Sequence, residues 1–279
     1  MSVVHTISGN LRVVKLHFGN FLMSKNRRIR IWTPSSYKKE SKVPYRVIYM
    51  WDGQNLFDDA TAYSGEWHVD EAIESKDLSQ FQRSVVVGID CSQDRLSEYL
   101  PRFSNIAIED LAYKGEKSID FLMNVVIPYV EKNYNISKKR EDISIGGSSM
   151  GGLMSLAAGI YHPEKFSKIY AFSPSFTLFK YGLSESKEQP KGLNNDSAFK
   201  YVINQYKKKS MKNQFKIVFS SGGIGIEEEC YEYLKKLRNK LIRSGWSANN
   251  LLLLHDQSLE HNEEQWSHFF PKAYKFLNK

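Results

Sequence analysis

Residues 143–152 read Ile-Ser-Ile-Gly-Gly-Ser-Ser-Met-Gly-Gly, a short apolar strand followed at once by a glycine-rich turn. The turn carries the pattern GxSxG with Ser149 at its centre, and a run of small residues typical of a helix begins at about Leu153. A serine on a tight strand-to-helix turn has strained backbone angles, and glycines on both sides remove Cβ atoms that would collide there. The pattern predicts that Ser149 is a nucleophile presented at the carboxyl edge of a sheet. The alternative is a glycine-rich loop that serves close packing.

Strand-like and helix-like segments alternate on both sides of this turn. Strands are predicted at residues 28–32, 45–50, 85–89, 143–145, 169–172, 215–219 and 251–254, and helices at about 69–75, 118–132, 153–161, 227–243 and 263–277. The alternation predicts an α/β protein with a mostly parallel central sheet and helices on both faces. We expect a single domain over residues 1–279. The polar stretch 182–213 is the one candidate insertion, either a surface excursion or a small cap over the site.

The composition argues against several other classes of protein. No apolar run approaches the roughly 18 residues that a membrane span requires. The formal charge is +8, but the Lys and Arg residues are dispersed and not interleaved with aromatic residues, so we expect no nucleic-acid partner. Cys91 and Cys230 are too few for a disulfide framework, and the N-terminus lacks a secretory pattern. We therefore expect free thiols and a cytoplasmic location.

A nucleophilic serine needs a base to take its proton, and in this chain order the base is a histidine beyond the last strand. There are two candidates. His255 directly continues the apolar run of residues 251–254, where it would be a strand-end residue with a structural hydrogen bond. His261 lies in a polar loop just before the last predicted helix, where its ring can reach the sheet edge. The position favours His261 as the general base. Neither histidine belongs to a pattern with metal-ligand spacing, so no metal is expected.

The acid that orients the histidine should follow the strand that ends near residue 219. Glu227 is the first acidic residue in that loop, and Glu228 comes next. Both also suit the first turn of a helix, where negative charge is favoured by the helix dipole. Glu227 and Glu228 are therefore equal candidates, and the remaining alternative is that neither acid orients the histidine.

Two backbone amides are expected to stabilise an oxyanion. The helix after the nucleophile directs its N-terminal amides at the point where the serine hydroxyl is presented, so the N–H of Met150 can donate to the oxyanion that forms there. A glycine turn, Trp51-Asp52-Gly53-Gln54, follows an early strand. Hydrolases with a GxSxG turn take their second oxyanion-hole N–H from such a turn, and Gln54 is the candidate for that donor. Neither GxxxxGK[ST] nor a GxGxxG after the first strand occurs, so no nucleotide cofactor is expected.

With these residues the chain resembles the putative-esterase family of α/β hydrolases, which includes siderophore esterases, S-formylglutathione hydrolase, feruloyl esterases and mycolyltransferases. The segments that carry the resemblance occur in order along most of the chain: RIWTP (30–34), DGQN (52–55), GEW (65–67), RLSEYLP (95–101), GGSSMGG (146–152), SPSF (173–176) and HNEEQW (261–266). The chain departs from the family after the strand near residue 219. Relatives usually have Gly-Thr-x-Asp or Gly-Thr-x-Glu there, whereas this chain has Gly222-Gly223-Ile224-Gly225.

The resemblance implies the α/β-hydrolase fold and gives roles to particular residues. Ser149 and His261 would take the catalytic positions, and Gln54 and Met150 the oxyanion-hole positions. Three residues fall in loops that line the substrate cleft of such relatives, with loop packing as the alternative role: Arg95, Tyr99 and Phe176.

The expected function is hydrolysis of a small-molecule carboxylic ester by a Ser-His-acid acyl-enzyme mechanism, without a cofactor. One alternative is acyl transfer to an alcohol or thiol at the same site. The other is a catalytically silent hydrolase fold that serves as a binding protein.

Overall fold

The computed structural model describes residues 5–17, 26–78, 83–104, 112–176 and 197–279. Within these ranges the chain forms one eight-stranded sheet in the order β1-β2-β4-β3-β5-β6-β7-β8. The strands are β1 (Asn10–His17), β2 (Asn26–Thr33), β3 (Arg46–Trp51), β4 (Ser84–Ile89), β5 (Ile143–Ser148), β6 (Lys168–Phe172), β7 (Lys216–Ser221) and β8 (Leu251–His255). β2 pairs antiparallel with both β1 and β4, and every later pair is parallel. The predicted mostly parallel sheet is confirmed.

Helices cover both faces of this sheet. They are α1 (Val69–Glu74), α2 (Arg95–Glu98), α3 (Gly115–Phe121), α4 (Ile127–Asn133), α5 (Met150–Tyr161), α6 (Ser197–Tyr206), α7 (Ile226–Arg243) and α8 (Glu263–Asn278), with a π turn (Leu122–Val126) joining α3 to α4. Side chains of β3 alternate between two cores. Tyr49 and Trp51 face the core shared with α3 to α7, whereas Ile48 and Met50 face the core shared with α1 and α8. This alternation is the period-2 pattern of a strand buried on both sides.

The first strand, β1, was not among the predicted strands. Residues 10–17 form an edge strand whose side chains are all exposed or half-buried, so the segment lacks the apolar run that marks the central strands. It pairs with β2 from Asn10 opposite Thr33 to His17 opposite Asn26. Its existence depends on this pairing rather than on its own composition.

The candidate insertion at 182–213 is described only in part, because residues 182–196 lie outside the described ranges. The remainder contains α6, whose Phe199, Val202 and Tyr206 are buried in the main core. Residues 197–213 therefore pack as part of the domain. A cap formed by the rest of the stretch stays a prediction.

No helix in the described ranges is both long enough and apolar enough to cross a membrane.

Candidate active site

Ser149 occupies the sharp turn between β5 and α5. Its backbone angles are φ 54° and ψ −123°, a combination that L-residues avoid, and its N–H donates to the carbonyl of Phe172 at 2.9 Å. The turn closes so tightly that a Cβ on Gly147 would lie 2.9 Å from the backbone of Gly151. Gly147 is thus required by the close approach of the two backbones, whereas a Cβ on Gly151 would lie 3.1 Å from Cβ of Trp51, and the strain of the turn is concentrated at Ser149.

His261 lies in the loop before α8, with its imidazole Nε2 3.0 Å from the Ser149 hydroxyl oxygen. The ring is held edge-on against Trp266, with centroids 5.3 Å apart, and Asn262 caps α8 by accepting the N–H of Gln265. His255 is placed differently. Its Nδ1 lies 3.1 Å from the carbonyl of Ser221 and its ring stacks on Tyr231, the structural role given above as its alternative.

The structure separates the two candidate acids. Glu227 is fully buried, and its Oε1 accepts a hydrogen bond from His261 Nδ1–H at 2.5 Å. Its Oε2 accepts from the Ser221 hydroxyl at 2.6 Å and from the N–H of Gly222 at 2.8 Å. Glu228 is exposed, because consecutive residues of a helix point about 100° apart and only one of them can face the histidine. Of the two candidate acids only Glu227 contacts His261, and the candidacy of Glu228 is corrected on this geometry.

The surroundings of Glu227 favour its charged form. Burial opposes the charge, but the hydrogen bond and charge of His261, followed by the hydroxyl of Ser221, outweigh it and hold the pKa of Glu227 below its usual value. The Nδ1–H tautomer of His261 follows, because a carboxylate can only accept. The other ring nitrogen, Nε2, then carries a free lone pair, and this lone pair faces the Ser149 hydroxyl.

The two candidate oxyanion donors lie at the ends of neighbouring strands. Met150 is the first residue of α5, and Gln54 is the middle residue of a single 3₁₀ turn after β3. The turn packs directly on β4, since a Cβ on Gly53 would lie 2.5 Å from the carbonyl carbon of Gly88. Among the backbone hydrogen bonds of turns and caps in the described ranges, none uses the N–H of Gln54 or of Met150. Both amides remain available to a ligand.

The side chain of Gln54 is fixed away from its backbone amide. Its Oε1 accepts from the N–H of Cys91 at 3.1 Å, and its Nε2 donates to the sulfur of Cys91 at 3.3 Å. This two-point contact joins the turn after β3 to the loop after β4. The sequence did not indicate it, because the two residues are 37 positions apart.

Arg95 lies in the cleft, as the resemblance implies, but it is tied to a neighbour. Its guanidinium makes two hydrogen bonds of 2.7 Å to the carboxylate of Asp52, the residue at the end of β3 with φ 58°. Burial opposes the cation, and the charge and hydrogen bonds of Asp52 outweigh it and raise the pKa of Arg95. The forked pair fixes the entry to the 3₁₀ turn that carries Gln54.

The other two implied cleft residues are packing residues. Tyr99 is 1% exposed, and its hydroxyl accepts the N–H of Asp52 while its ring packs edge-on against Trp51. Phe176 is 4% exposed and packs against Phe199. Neither residue lines the cleft in the described part of the chain, because each is covered by side chains from neighbouring elements. Their assignment to substrate binding is corrected to support of the surrounding loops.

The cleft in front of Ser149 has a volume of about 880 Å³. Its lining includes Asn55 and Glu263, which sequence reasoning did not single out. The Asn55 side-chain amide donates to Glu263 at 2.9 Å, so the turn after β3 is also joined to the start of α8. Burial raises the pKa of Glu263, and the charge of Asp52 adds to the effect. The signal in the sequence was that both residues are polar and lie inside the quoted segments DGQN (52–55) and HNEEQW (261–266).

Cys91 provides a test of the cleft's electrostatics. Burial, reinforced by the charge of Asp52, raises the pKa of its thiol to about 12. At pH 8 only about one thiol in 10⁴ is then ionised. We expect iodoacetamide at pH 8 to leave Cys91 unmodified in the native protein, although the residue lines the cleft, and to alkylate it rapidly after denaturation. Mass spectrometry of the Cys91 peptide measures both rates. Fast native alkylation would contradict this environment.

Comparison with known proteins relates the chain to one family. The model of the family described as "Putative esterase" matches residues 22–274. The protein YbbA of Bacillus subtilis (strain 168), described as uncharacterised, is 28% identical over 159 residues, which are 54% of this chain and 58% of YbbA. The chain thus spans less than two thirds of that relative.

Solved structures show the same fold. A ferulic acid esterase superposes with a TM-score of 0.67 and 17% identity, covering 98% of both chains. The enterobactin esterase FES from Shigella flexneri superposes with a TM-score of 0.68 and 16% identity, covering 98% of this chain and 61% of that one. These structures are α/β-hydrolase esterases, and the fold expected from the sequence is confirmed.

Proposed function

We propose that this chain, which belongs to the putative esterase family, hydrolyses carboxylic esters with Ser149 as nucleophile, His261 as general base and Glu227 as the orienting acid. Membership of this family supports hydrolysis of carboxylic esters. The observation that carries the finer proposal is the continuous hydrogen-bonded line from Glu227 through His261 to Ser149, with distances of 2.5 Å and 3.0 Å. Heavy-atom distances in this range allow direct proton transfer.

The reaction follows from that line. His261 Nε2 takes the hydroxyl proton of Ser149 as the oxygen attacks the ester carbonyl, and the resulting imidazolium is stabilised by the Glu227 carboxylate. The tetrahedral intermediate collapses when His261 returns the proton to the leaving alcohol, which gives an acyl-serine. Water, deprotonated by the same nitrogen, releases the acid and restores the hydroxyl.

The developing oxyanion would be bound by the amides of Gln54 and Met150. Both are held by rigid backbone, one by the Gly53 contact with β4 and the other by the strained turn at Ser149. Donors that are fixed before the reaction need no reorganisation when charge develops, and the loss of one such donor typically costs about 100- to 1000-fold in rate.

The geometry also bears on the two alternatives. A silent scaffold would not need an acid that orients the histidine, whereas Glu227 is a buried acid in hydrogen-bond contact with His261. Acyl transfer uses the same acyl-serine and differs only in the acceptor. Esterase and transferase are therefore distinguished by products rather than by the site.

The test combines hydrolysis with labelling. We expect the protein to hydrolyse p-nitrophenyl esters, with the series from acetate to decanoate giving its acyl-chain preference, and a fluorophosphonate to modify Ser149 alone, as located by mass spectrometry. The neighbouring Ser148 and Ser175 are internal controls, because they carry no histidine contact in the described ranges. Labelling elsewhere, or turnover without labelling, would overturn the proposal. Ester formation with added alcohol that exceeds hydrolysis would favour the transferase.

A further inference from the structure

A second group of chemically active side chains lies at the start of α1. Glu66 and His68 precede the helix and Glu71 lies in its first turn. One donor atom from each of these three residues lies within 4.8 Å of the other two. The imidazole Nδ1 of His68 is 3.6 Å from Oε2 of Glu66 and 3.7 Å from Oε2 of Glu71. None of the three residues lines the cleft of Ser149, so they form a separate group.

Two buried carboxylate oxygens of this group, one on each glutamate, have no hydrogen-bond partner among the described residues, and this observation is independent of the clustering. The Glu66 side chain is fully buried, and its Oε1 has no hydrogen-bond partner among the described residues. Its Oε2 accepts from the hydroxyl of Thr6 at 2.5 Å. Oε2 of Glu71 is also inaccessible to solvent and without a hydrogen-bond partner in the same ranges. Carboxylate oxygens removed from water are costly unless a donor or a cation compensates them.

We propose that Glu66, His68 and Glu71 bind a divalent transition metal, with Zn²⁺ as the best match. One imidazole nitrogen and two carboxylate oxygens form a donor set that zinc accepts at about 2.0–2.2 Å. Tetrahedral coordination at that bond length separates the donors by about 3.4 Å. The two His68 distances of 3.6 Å and 3.7 Å are near that value, and the two carboxylate oxygens lie within 4.8 Å of each other. Calcium takes six to eight oxygen ligands, and this site offers too few.

The ion would have a defined position in the fold. The His68 side chain is half exposed, so a water molecule can occupy a fourth coordination position. Thr6 holds the buried carboxylate from the N-terminal segment, and Ser8 of the same segment donates its N–H to Asp70 at 2.7 Å. The metal would thus hold the segment before α1 to the first turn of that helix as a structural site, with Thr6 orienting the buried ligand.

The test measures Zn²⁺ binding to the full chain after treatment with EDTA. Isothermal titration should show one more Zn²⁺ per chain for the unmodified protein than for His68→Ala, and at least about 10-fold weaker binding for Glu71→Gln. Both substituted side chains are partly exposed, so these variants should fold, as circular dichroism would verify.

The matched control is His162→Ala. His162 also has a carboxylate neighbour, Glu164 at 3.2 Å, but no third ligand group in the described ranges. We expect this variant to bind Zn²⁺ like the unmodified protein, and anomalous scattering at the zinc edge to place the ion beside His68. The same number of ions and the same affinity in the unmodified protein and in His68→Ala would overturn the proposal. So would Ca²⁺ binding without Zn²⁺ binding.

Discussion

Ser149→Ala is expected to lower kcat/KM for a p-nitrophenyl ester by about 10⁴- to 10⁶-fold. The hydroxyl 3.0 Å from His261 is the only part removed, and without it no acyl-enzyme forms. The residual rate would come from binding and the two oxyanion amides, which can still polarise the carbonyl for attack by water. Initial rates measured with substrate well below KM give the ratio directly.

Ser175→Ala is the matched control for this variant. The Ser175 hydroxyl lies 3.1 Å from that of Ser149 and is equally buried, but it is not joined to His261. We expect less than about a 10-fold loss, because the substitution removes one hydrogen bond to the nucleophile and no reacting atom. If Ser175→Ala were as inactive as Ser149→Ala, or if Ser149→Ala kept most of its activity, the assignment of the nucleophile would be wrong.

Glu227→Gln is expected to lower kcat by about 10³- to 10⁴-fold with little change in KM. The amide has the same shape, but it presents no full negative charge to stabilise the imidazolium, and its NH₂ group can favour the wrong tautomer of His261. Steady-state kinetics at pH 8 would measure the effect. The pKa of Glu227 is lowered, so the unmodified protein keeps this carboxylate ionised down to acid pH, and its activity should not fall through Glu227 near neutrality.

Glu228→Gln is the corresponding control, since it makes the same chemical change one residue further along α7. Its side chain is exposed, and we expect kcat within about 2-fold of the unmodified enzyme. A large loss in Glu228→Gln with none in Glu227→Gln would reverse the assignment made from the geometry.

The nucleophile turn was predictable because its determinants are local. Ser149, the glycines around it and the flanking strand and helix all lie within a few residues of one another, and steric exclusion at the turn fixes the outcome. His261 was predictable for a related reason. Its place between the last strand and the last helix sets the sheet edge at which it must lie.

The choice of acid could not be made in the same way. Glu227 and Glu228 have the same chemistry and the same local environment in the sequence. The rotation of α7 about its own axis decides between them, and that rotation is set by packing against β7 and β8. Tyr99 and Phe176 show the same limit, because their burial depends on side chains from other elements, such as Trp51 and Phe199.

The separation along the chain of the residues that meet at Ser149 has a consequence for biosynthesis. Ser149 precedes its proposed base by 112 residues, and translation proceeds from the N-terminus. The ribosome must therefore add the whole of β6 to β8 before the hydroxyl has a partner to activate it. On the proposed mechanism the nascent polypeptide carries an unactivated serine throughout that interval, and we expect ester cleavage only after translation has passed His261 and the later strands have joined the sheet.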